Sequence, residues 1–263
     1  MPKLPRDRVV VVTGASTGIG RGAALAFAKD GARVVVAARN AEKLEQVARE
    51  CGGLAVPTDV TKRGEVARLI RTAHEKFGAV HVLVNNAGRG LYAKVEDMRE
   101  EDFDAILRLN VYGPLYGIQE VLPVMKKQGC GQIINITSTL GRVSMPLMAA
   151  YCMSKFAFEA LSESLRTEVK PYGIHVIVVG PGVTRTDFQK NALRTGVAYD
   201  EVGGPSAERV GRAILRASKW RRRNVYLNLE SKALLAMHAI SPRLVDFGFG
   251  VWMRQQVRPP ANG

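Results

Sequence analysis

The sequence lacks any apolar run that approaches the about 20 residues a membrane-spanning helix needs. Its N-terminal stretch, MPKLPRDRVVVVTGAS, passes straight into a valine run without the apolar region of a secretory signal peptide. We therefore expect a cytoplasmic protein. With 263 residues, of which 46% are hydrophobic, the chain can bury one large core, and we expect a single domain over residues 1–263.

Cysteine and histidine are scarce, and neither has the spacing of a structural site. The cysteines Cys51, Cys130 and Cys152 are odd in number and lack CxxC spacing, which argues against a disulfide framework and a zinc site. The four histidines show no metal-ligand spacing either, so we predict no metal. Cys152 is better explained as a small buried hydrophobe than as a redox switch.

Acidic residues are few relative to basic ones, which gives a net charge of +14. The excess is concentrated from Glu208 onward, where 11 Lys and Arg residues face 3 Asp and Glu residues, and it is densest in residues 219–228. Such a charge can indicate nucleic acid, an anionic membrane surface or acidic ligands. A solvated basic surface is the simpler interpretation, and nucleic acid is not the favoured partner.

Valine-rich runs alternate with helical patterns along most of the chain. Residues 8–40 read as strand, glycine turn, helix and strand, and Gly31 is placed where that helix would end. Five more strands are predicted within residues 52–60, 79–88, 131–138, 173–182 and 224–228, and helices within 61–77, 100–128, 149–169 and 206–219. Continuous apolar strands suit a parallel sheet covered on both faces. The pattern predicts an α/β fold with a doubly wound, Rossmann-like sheet of seven parallel strands.

A glycine-rich turn, TGASTGIG, follows the first predicted strand. At this position backbone N–H groups and a helix N-terminus can face the pyrophosphate of a dinucleotide, which a side chain would block. Gly14, Gly18 and Gly20 are spaced GxxxGxG rather than GxGxxG. A tight connection is the alternative interpretation, but the position between the first strand and the first helix favours a dinucleotide.

The end of the second predicted strand lacks the acid that would bind a ribose 2′-hydroxyl and repel a 2′-phosphate. Residues 37–40 read AARN, and the guanidinium of Arg39 suits a phosphate. This favours NADP(H) over NAD(H). If Arg39 is an ordinary surface arginine, the missing acid has no explanation.

Residues 149–169 are predicted to form one amphipathic helix, with Phe158 and Leu165 on its apolar stripe. Tyr151 and Lys155 stand one turn apart at its start, so their side chains are neighbours. A free tyrosine has a pKa of about 10 and needs a nearby positive charge to act as a base at neutral pH. Lys155 can supply that charge.

From about residue 8 to residue 228 the chain resembles a short-chain dehydrogenase/reductase. The resemblance rests on motifs that occur in order: the glycine turn, Asp59 and Val60, NNAG at 85–88, Asn110, Ser138, YCMSK at 151–155 and PGVTRT at 181–186. It implies an enzyme that transfers hydride between NADP(H) and a carbonyl or secondary alcohol, built as a homodimer or homotetramer.

The resemblance also implies roles for individual residues. Tyr151 would be the general acid/base, Ser138 would bind the substrate oxygen, Lys155 would hold the nicotinamide ribose, and Asn110 would hold a water that links Lys155 to solvent. The implied dinucleotide-binding residues are Gly14, Ser16, Thr17, Gly18, Ile19, Gly20, Arg39, Asp59, Val60, Asn86, Ala87, Gly88, Tyr151, Lys155, Pro181, Gly182, Thr184 and Thr186.

Some of these assignments have local alternatives. Asp59 and Val60 fit a strand-end cap equally well, and Pro181 with Gly182 would also suit a plain turn. Thr17 stands where many NADP-using relatives carry a further basic residue, so the NADP(H) preference rests mainly on Arg39.

Two further regions are assigned to the substrate and to the tail. By resemblance, residues 140–148 and 183–205 contact the substrate; the first is apolar and rich in methionine, which favours an apolar ketone or aldehyde. Within the second, DFQKNALRTG is expected to form a short mobile helix.

Residues 229–263 are predicted as a basic amphipathic extension of two helices, broken at Pro242. We expect it to pack on the domain or a partner subunit, with peripheral membrane contact as the alternative.

A non-catalytic protein is the competing functional interpretation. It would be a dinucleotide-binding regulator, or a basic module that binds nucleic acid or an anionic membrane. A binding protein has no need of Asn110, Ser138, Tyr151 and Lys155 together, and this favours the enzyme.

Overall fold

The computed structural model describes residues 4–196 and 203–256. The strands in these residues are β1 (Val9–Thr13), β2 (Arg33–Ala38), β3 (Leu54–Pro57), β4 (Val82–Asn85), β5 (Leu91–Tyr92), β6 (Gly131–Ile136), β7 (Ile174–Gly180), β8 (Leu193–Arg194) and β9 (Asn224–Tyr226). Seven of them form one parallel sheet in the order β3-β2-β1-β4-β6-β7-β9. The predicted seven-stranded Rossmann-like sheet is confirmed.

The helices connect these strands and continue into the tail. They are α1 (Gly18–Lys29), α2 (Ala41–Cys51), α3 (Arg63–Phe77), α4 (Glu100–Leu107), α5 (Gly113–Gln128), α6 (Ala149–Val169), α7 (Ala207–Lys219), α8 (Leu229–Ile240) and α9 (Pro242–Gln256). The helix predicted over residues 149–169 is confirmed, and so is the break at Pro242. None of the helices in the described ranges is long and apolar enough to cross a membrane.

The core has two layers, one on each face of the main sheet. Successive side chains of a strand point to opposite faces. Val10 and Val12 of β1 accordingly pack in a cluster that includes Phe27 of α1, whereas Val11 packs in the cluster that includes Leu69 of α3. Because both faces are covered, the strands can be continuous valine runs, as the sequence indicated.

The structure departs from the sequence predictions at three places. The helix predicted over residues 100–128 is interrupted by a π-helical turn at Arg108–Tyr112. The segment DFQKNALRTG forms turns and the strand β8, so the helix predicted there is wrong. This strand, β8, pairs in parallel with β5, and the N–H of Leu193 donates to the carbonyl of Gly90 at 3.0 Å. The last strand ends at Tyr226 rather than at residue 228.

Parts of two predicted regions lie outside the described residues. These parts are residues 197–202 of the substrate connection and residues 257–263 of the tail.

Candidate active site

A cleft of about 660 Å³ opens at the carboxyl edge of the main sheet. It is lined by residues at or after the carboxyl ends of β1, β2, β3, β4, β6 and β7, and by parts of α6, α8 and α9. The strand order reverses between β1 and β4, and in doubly wound sheets such a switch point is where ligands bind.

The cleft brings together nearly all of the predicted site residues. All of them line it except Gly20 and Asn110. Gly20 lies directly beneath the glycine turn, where an added Cβ would stand 2.3 Å from the carbonyl oxygen of Gly14. The structure thus places these residues in one site, and their individual roles stay predictions.

The glycine turn forms a cradle suited to an anion. Gly14 and Gly18 have φ angles of +63° and +54°, which favour glycine, and a Cβ at Gly14 would lie 2.8 Å from the Cα of Ala87. Thr17 is extended and, in the described part of the chain, its side chain gives α1 no capping hydrogen bond. The first turn of α1, fully described, contains no acidic residue. The N-terminus of α1 therefore fits a pyrophosphate.

Arg39 lines the cleft directly after β2 and is exposed. It lies close enough to Asp59 for its charge to lower the pKa of that carboxyl. Arg21, the basic residue that follows the glycine turn, is instead paired with Glu50 at 2.5 Å and Glu208 at 3.7 Å. The guanidinium available at the end of β2 is thus that of Arg39.

Asp59 has a local structural role and also lines the cleft. Its Oδ1 accepts from the backbone N–H of Thr61 at 3.0 Å and from the Thr61 hydroxyl at 2.8 Å. Burial raises the pKa of Asp59, but these hydrogen bonds, together with the charges of Arg39 and Lys62, lower it more, so the carboxylate is ionised. The Asp59 carboxylate can therefore cap the chain after β3 and also contact a ligand in the cleft.

Tyr151 is 7% exposed, and Ser138, which lines the cleft with it, is close enough to affect the pKa of its hydroxyl. Burial raises the pKa of Tyr151 above its ordinary value, and the neighbouring Ser138 offsets only part of this effect. Burial thus acts against the phenolate that Lys155 was predicted to favour. The catalytic role of Tyr151 stays a prediction.

Lys155 lies on the same face of α6, with its Nζ 5.6 Å from the centre of the Tyr151 ring. Nζ donates to the carbonyl of Ile136 at 3.0 Å. Burial lowers the pKa of Lys155 to about 8, although the charge of Glu159 acts in the opposite direction. Burial thus makes Lys155 easier to deprotonate than an exposed lysine, and its role in the reaction stays a prediction.

Asn110 lies in the π-helical turn and is fully buried behind the cleft wall. Its Nδ2 donates to the carbonyl of Arg89 and to the hydroxyl of Ser154, and its Oδ1 accepts from the N–H of Arg89. A Cβ at Gly88 would lie 3.2 Å from Asn110 Oδ1 and 3.6 Å from Lys155 Nζ. Asn110 therefore fixes the backbone beside Lys155, and the bound water assigned to it stays a prediction.

The wall beside Tyr151 is apolar. Residues 140–148 contribute Leu140, Met145 and Met148, and the second substrate segment contributes Phe188, whose ring meets that of Tyr151 edge-on at 5.7 Å. Leu234 of α8 and Phe249 of α9 also line the cleft. Our sequence reasoning missed these last two; the aromatic, amphipathic tail was the available signal, but it did not show where the tail folds.

A buried carboxylate, Glu159, lies one turn beyond Lys155. It accepts hydrogen bonds from the Thr137 hydroxyl at 2.7 Å, the Tyr226 hydroxyl at 3.3 Å and the guanidinium of Arg142 at 3.1 Å. Burial and the Glu159 charge raise the pKa of Tyr226 to about 12. Glu159 thus links α6 to Thr137, which follows β6, and to Tyr226 of β9, and its charge acts on Lys155.

We expect Glu159→Gln to lower the free energy of unfolding by about 1–3 kcal/mol, because it removes a charge from a buried network. Glu163→Gln is the matched control, since Glu163 binds the same Arg142 but its side chain is 45% exposed, against 5% for Glu159. Glu163→Gln should lower the free energy of unfolding by less than about 1 kcal/mol. Urea unfolding measures both, and equal losses would show that the burial of Glu159 is unimportant.

A family model described as short chain dehydrogenase matches residues 8–196. An uncharacterized oxidoreductase of Staphylococcus saprophyticus is 40% identical over 188 residues, which are 70% of this chain and 76% of that protein. A short-chain dehydrogenase structure from Streptomyces avermitilis is 29% identical, with a TM-score of 0.80 over 97% of this chain and 100% of that one.

A solved alcohol dehydrogenase from the archaeon Thermococcus sibiricus, complexed with 5-hydroxy-NADP, is also similar. It is 27% identical and has a TM-score of 0.74 over 84% of this chain and 95% of that one. The solved 3-ketoacyl-(acyl-carrier-protein) reductase of Brucella melitensis, complexed with NADH, is 29% identical. Its TM-score is 0.76 over 84% of this chain and 96% of that one.

Proposed function

The chain belongs to the short-chain dehydrogenase family of oxidoreductases, and on that premise we propose that it interconverts an apolar carbonyl compound and its alcohol with NADP(H). One observation carries the proposal. The buried Tyr151 lines the same cleft as Ser138, Lys155 and the glycine turn.

The cofactor assignment has two parts. A dinucleotide is supported by the cradle formed by Gly14, Gly18 and the N-terminus of α1. The similar solved structures include complexes with 5-hydroxy-NADP and with NADH, so likeness alone does not choose between the phosphorylated and unphosphorylated forms. Arg39, together with the missing acid after β2, supports NADP(H). When bound, the dinucleotide would supply or accept the hydride.

The protein's own side chains would handle the proton. In reduction, the Tyr151 hydroxyl would donate its proton to the substrate oxygen. Because burial raises its pKa, this hydroxyl carries its proton near neutral pH. Ser138 Oγ already accepts from the N–H of Leu140 at 3.1 Å, which orients its hydroxyl hydrogen away from that backbone. Ser138 can then donate to the same substrate oxygen and hold it beside Tyr151.

The apolar wall of Met145, Met148 and Phe188 supports an uncharged ketone or aldehyde substrate. The test is to incubate the purified protein with NADPH and a panel of apolar aldehydes and ketones, and to identify alcohols by mass spectrometry. We expect at least one alcohol to form in proportion to enzyme. Tight NADPH binding without any alcohol would support a dinucleotide-binding regulator instead.

The partners and location expected from the sequence stay predictions. For the tail, α9 turns Leu244, Phe247 and Val251 to solvent along one helical stripe, flanked by Arg243 and Arg254. Such a face supports peripheral contact with an anionic membrane. We expect the protein to co-sediment with anionic but not with neutral vesicles, and absence of binding to both would contradict membrane contact.

Light scattering of the purified protein tests the predicted homodimer or homotetramer.

A further inference from the structure

A second cavity, of about 590 Å³, lies between the start of α6 and α9; we name it the α6–α9 groove. Its apolar lining includes Pro146, Cys152, Met153, Phe156 and Met253. Among the described residues that line it, Asp246 is the only charged one, and it is exposed. The groove is open to solvent, and its apolar side chains Met153 and Phe156 are 54% and 40% exposed. Ligand sites are commonly concave and apolar in this way.

The groove lies beside the catalytic cleft. Met145 and Phe249 line both cavities. Tyr151 lines the cleft, and the next residue, Cys152, lines the groove. Methionine has three rotatable side-chain bonds and adapts its shape readily. A molecule whose reacting oxygen lies at Ser138 and Tyr151 can therefore extend past Met145 into the groove.

We infer that the α6–α9 groove holds the unbranched hydrocarbon chain of the substrate, so that the enzyme acts on long-chain aldehydes or ketones. This rests on the proposed carbonyl reduction, which it makes more specific. The chain must be uncharged, because the described lining offers no cation to a carboxylate or phosphate. A separate macromolecule would not account for the two residues, Met145 and Phe249, that line both cavities.

Two glycines of α9 provide a matched test. Gly250 lines the groove, and Gly248 does not. In the described structure a Cβ added to either would meet no heavy atom within 4 Å, so the backbone has room for a side chain at both positions. Phenylalanine at position 250 should fill the groove, while Gly248→Phe controls for the change in helix propensity and surface.

The first measurement is kcat/KM with NADPH for straight-chain aldehydes from butanal to dodecanal. In the wild type it should rise about threefold for each added methylene until the groove is full. Gly250→Phe should lower the value for decanal at least about tenfold and that for butanal less than about twofold, and Gly248→Phe should change neither. If all lengths react equally, or if both variants behave alike, the inference is wrong although the proposed function stands.

The second measurement does not depend on turnover. Calorimetric titration with decanol should show binding to the wild type and to Gly248→Phe, and binding weakened at least about tenfold in Gly250→Phe. Decanol binding that is absent from the wild type, or unchanged in Gly250→Phe, overturns the groove assignment. If decanol binds as expected and no aldehyde is reduced, the groove is supported and the proposed reaction fails.

Discussion

Replacing Tyr151 with phenylalanine should lower kcat by about 10³-fold, the magnitude typical of a lost general acid. The ring keeps its packing against Phe188, so the variant removes little besides the hydroxyl. Without that hydroxyl the substrate oxygen receives its proton from water in a mostly buried site. Steady-state reduction of an apolar aldehyde by NADPH measures the loss.

Tyr92→Phe is the matched control, because Tyr92 lines the same cleft and also presents a phenol. It should lower kcat less than about tenfold, since the proposed mechanism assigns the proton to Tyr151 and not to Tyr92. Fluorescence titration should find NADPH binding close to that of the wild type in both variants. If Tyr151→Phe keeps more than a tenth of the wild-type kcat, Tyr151 is not the proton donor.

Replacing Arg39 with aspartate should weaken NADPH binding by about 10²-fold and leave NADH binding equal or stronger. The substitution removes a charge-assisted contact with the 2′-phosphate and adds a repulsive carboxylate, which together are worth about 3 kcal/mol. The new acid would also be placed to bind the ribose hydroxyl of NADH. Paired fluorescence titrations give the two dissociation constants.

Arg39→Gln and Arg21→Gln separate the effect of position from that of charge. Both remove one positive charge near α1, but Arg21 is already paired with Glu50. Arg39→Gln should weaken NADPH binding about tenfold, and Arg21→Gln should leave it within about twofold. Equal losses in the two variants would mean that net charge, and not Arg39, sets the preference.

The sheet and most of the cleft could be predicted because they depend on local patterns. The continuous valine runs of β1 and β2 suit strands covered on both faces, and the structure covers them with α1 and α3. Parallel strands bring their carboxyl ends to one edge of the sheet. Motifs as distant in sequence as Gly14, Ser138 and Pro181 therefore line one cleft.

Other features depend on contacts between segments remote in sequence. The strand β8 exists because Leu193 pairs with the segment at Gly90, which no periodicity in residues 187–196 indicates. Phe249 reaches the cleft only because α9 folds back beside α6. The neighbouring lysine of Tyr151 was visible in the sequence, whereas the burial that raises the pKa of this tyrosine was not.

The central claim is that this cleft transfers hydride to an apolar carbonyl. The most direct test uses NADPH labelled with deuterium in turn on each face of nicotinamide C4, with dodecanal as substrate, and mass spectrometry of the alcohol. The account predicts that deuterium appears on the carbinol carbon from one labelled form and not from the other. An alcohol that carries no deuterium from either form, or no alcohol at all, would contradict it.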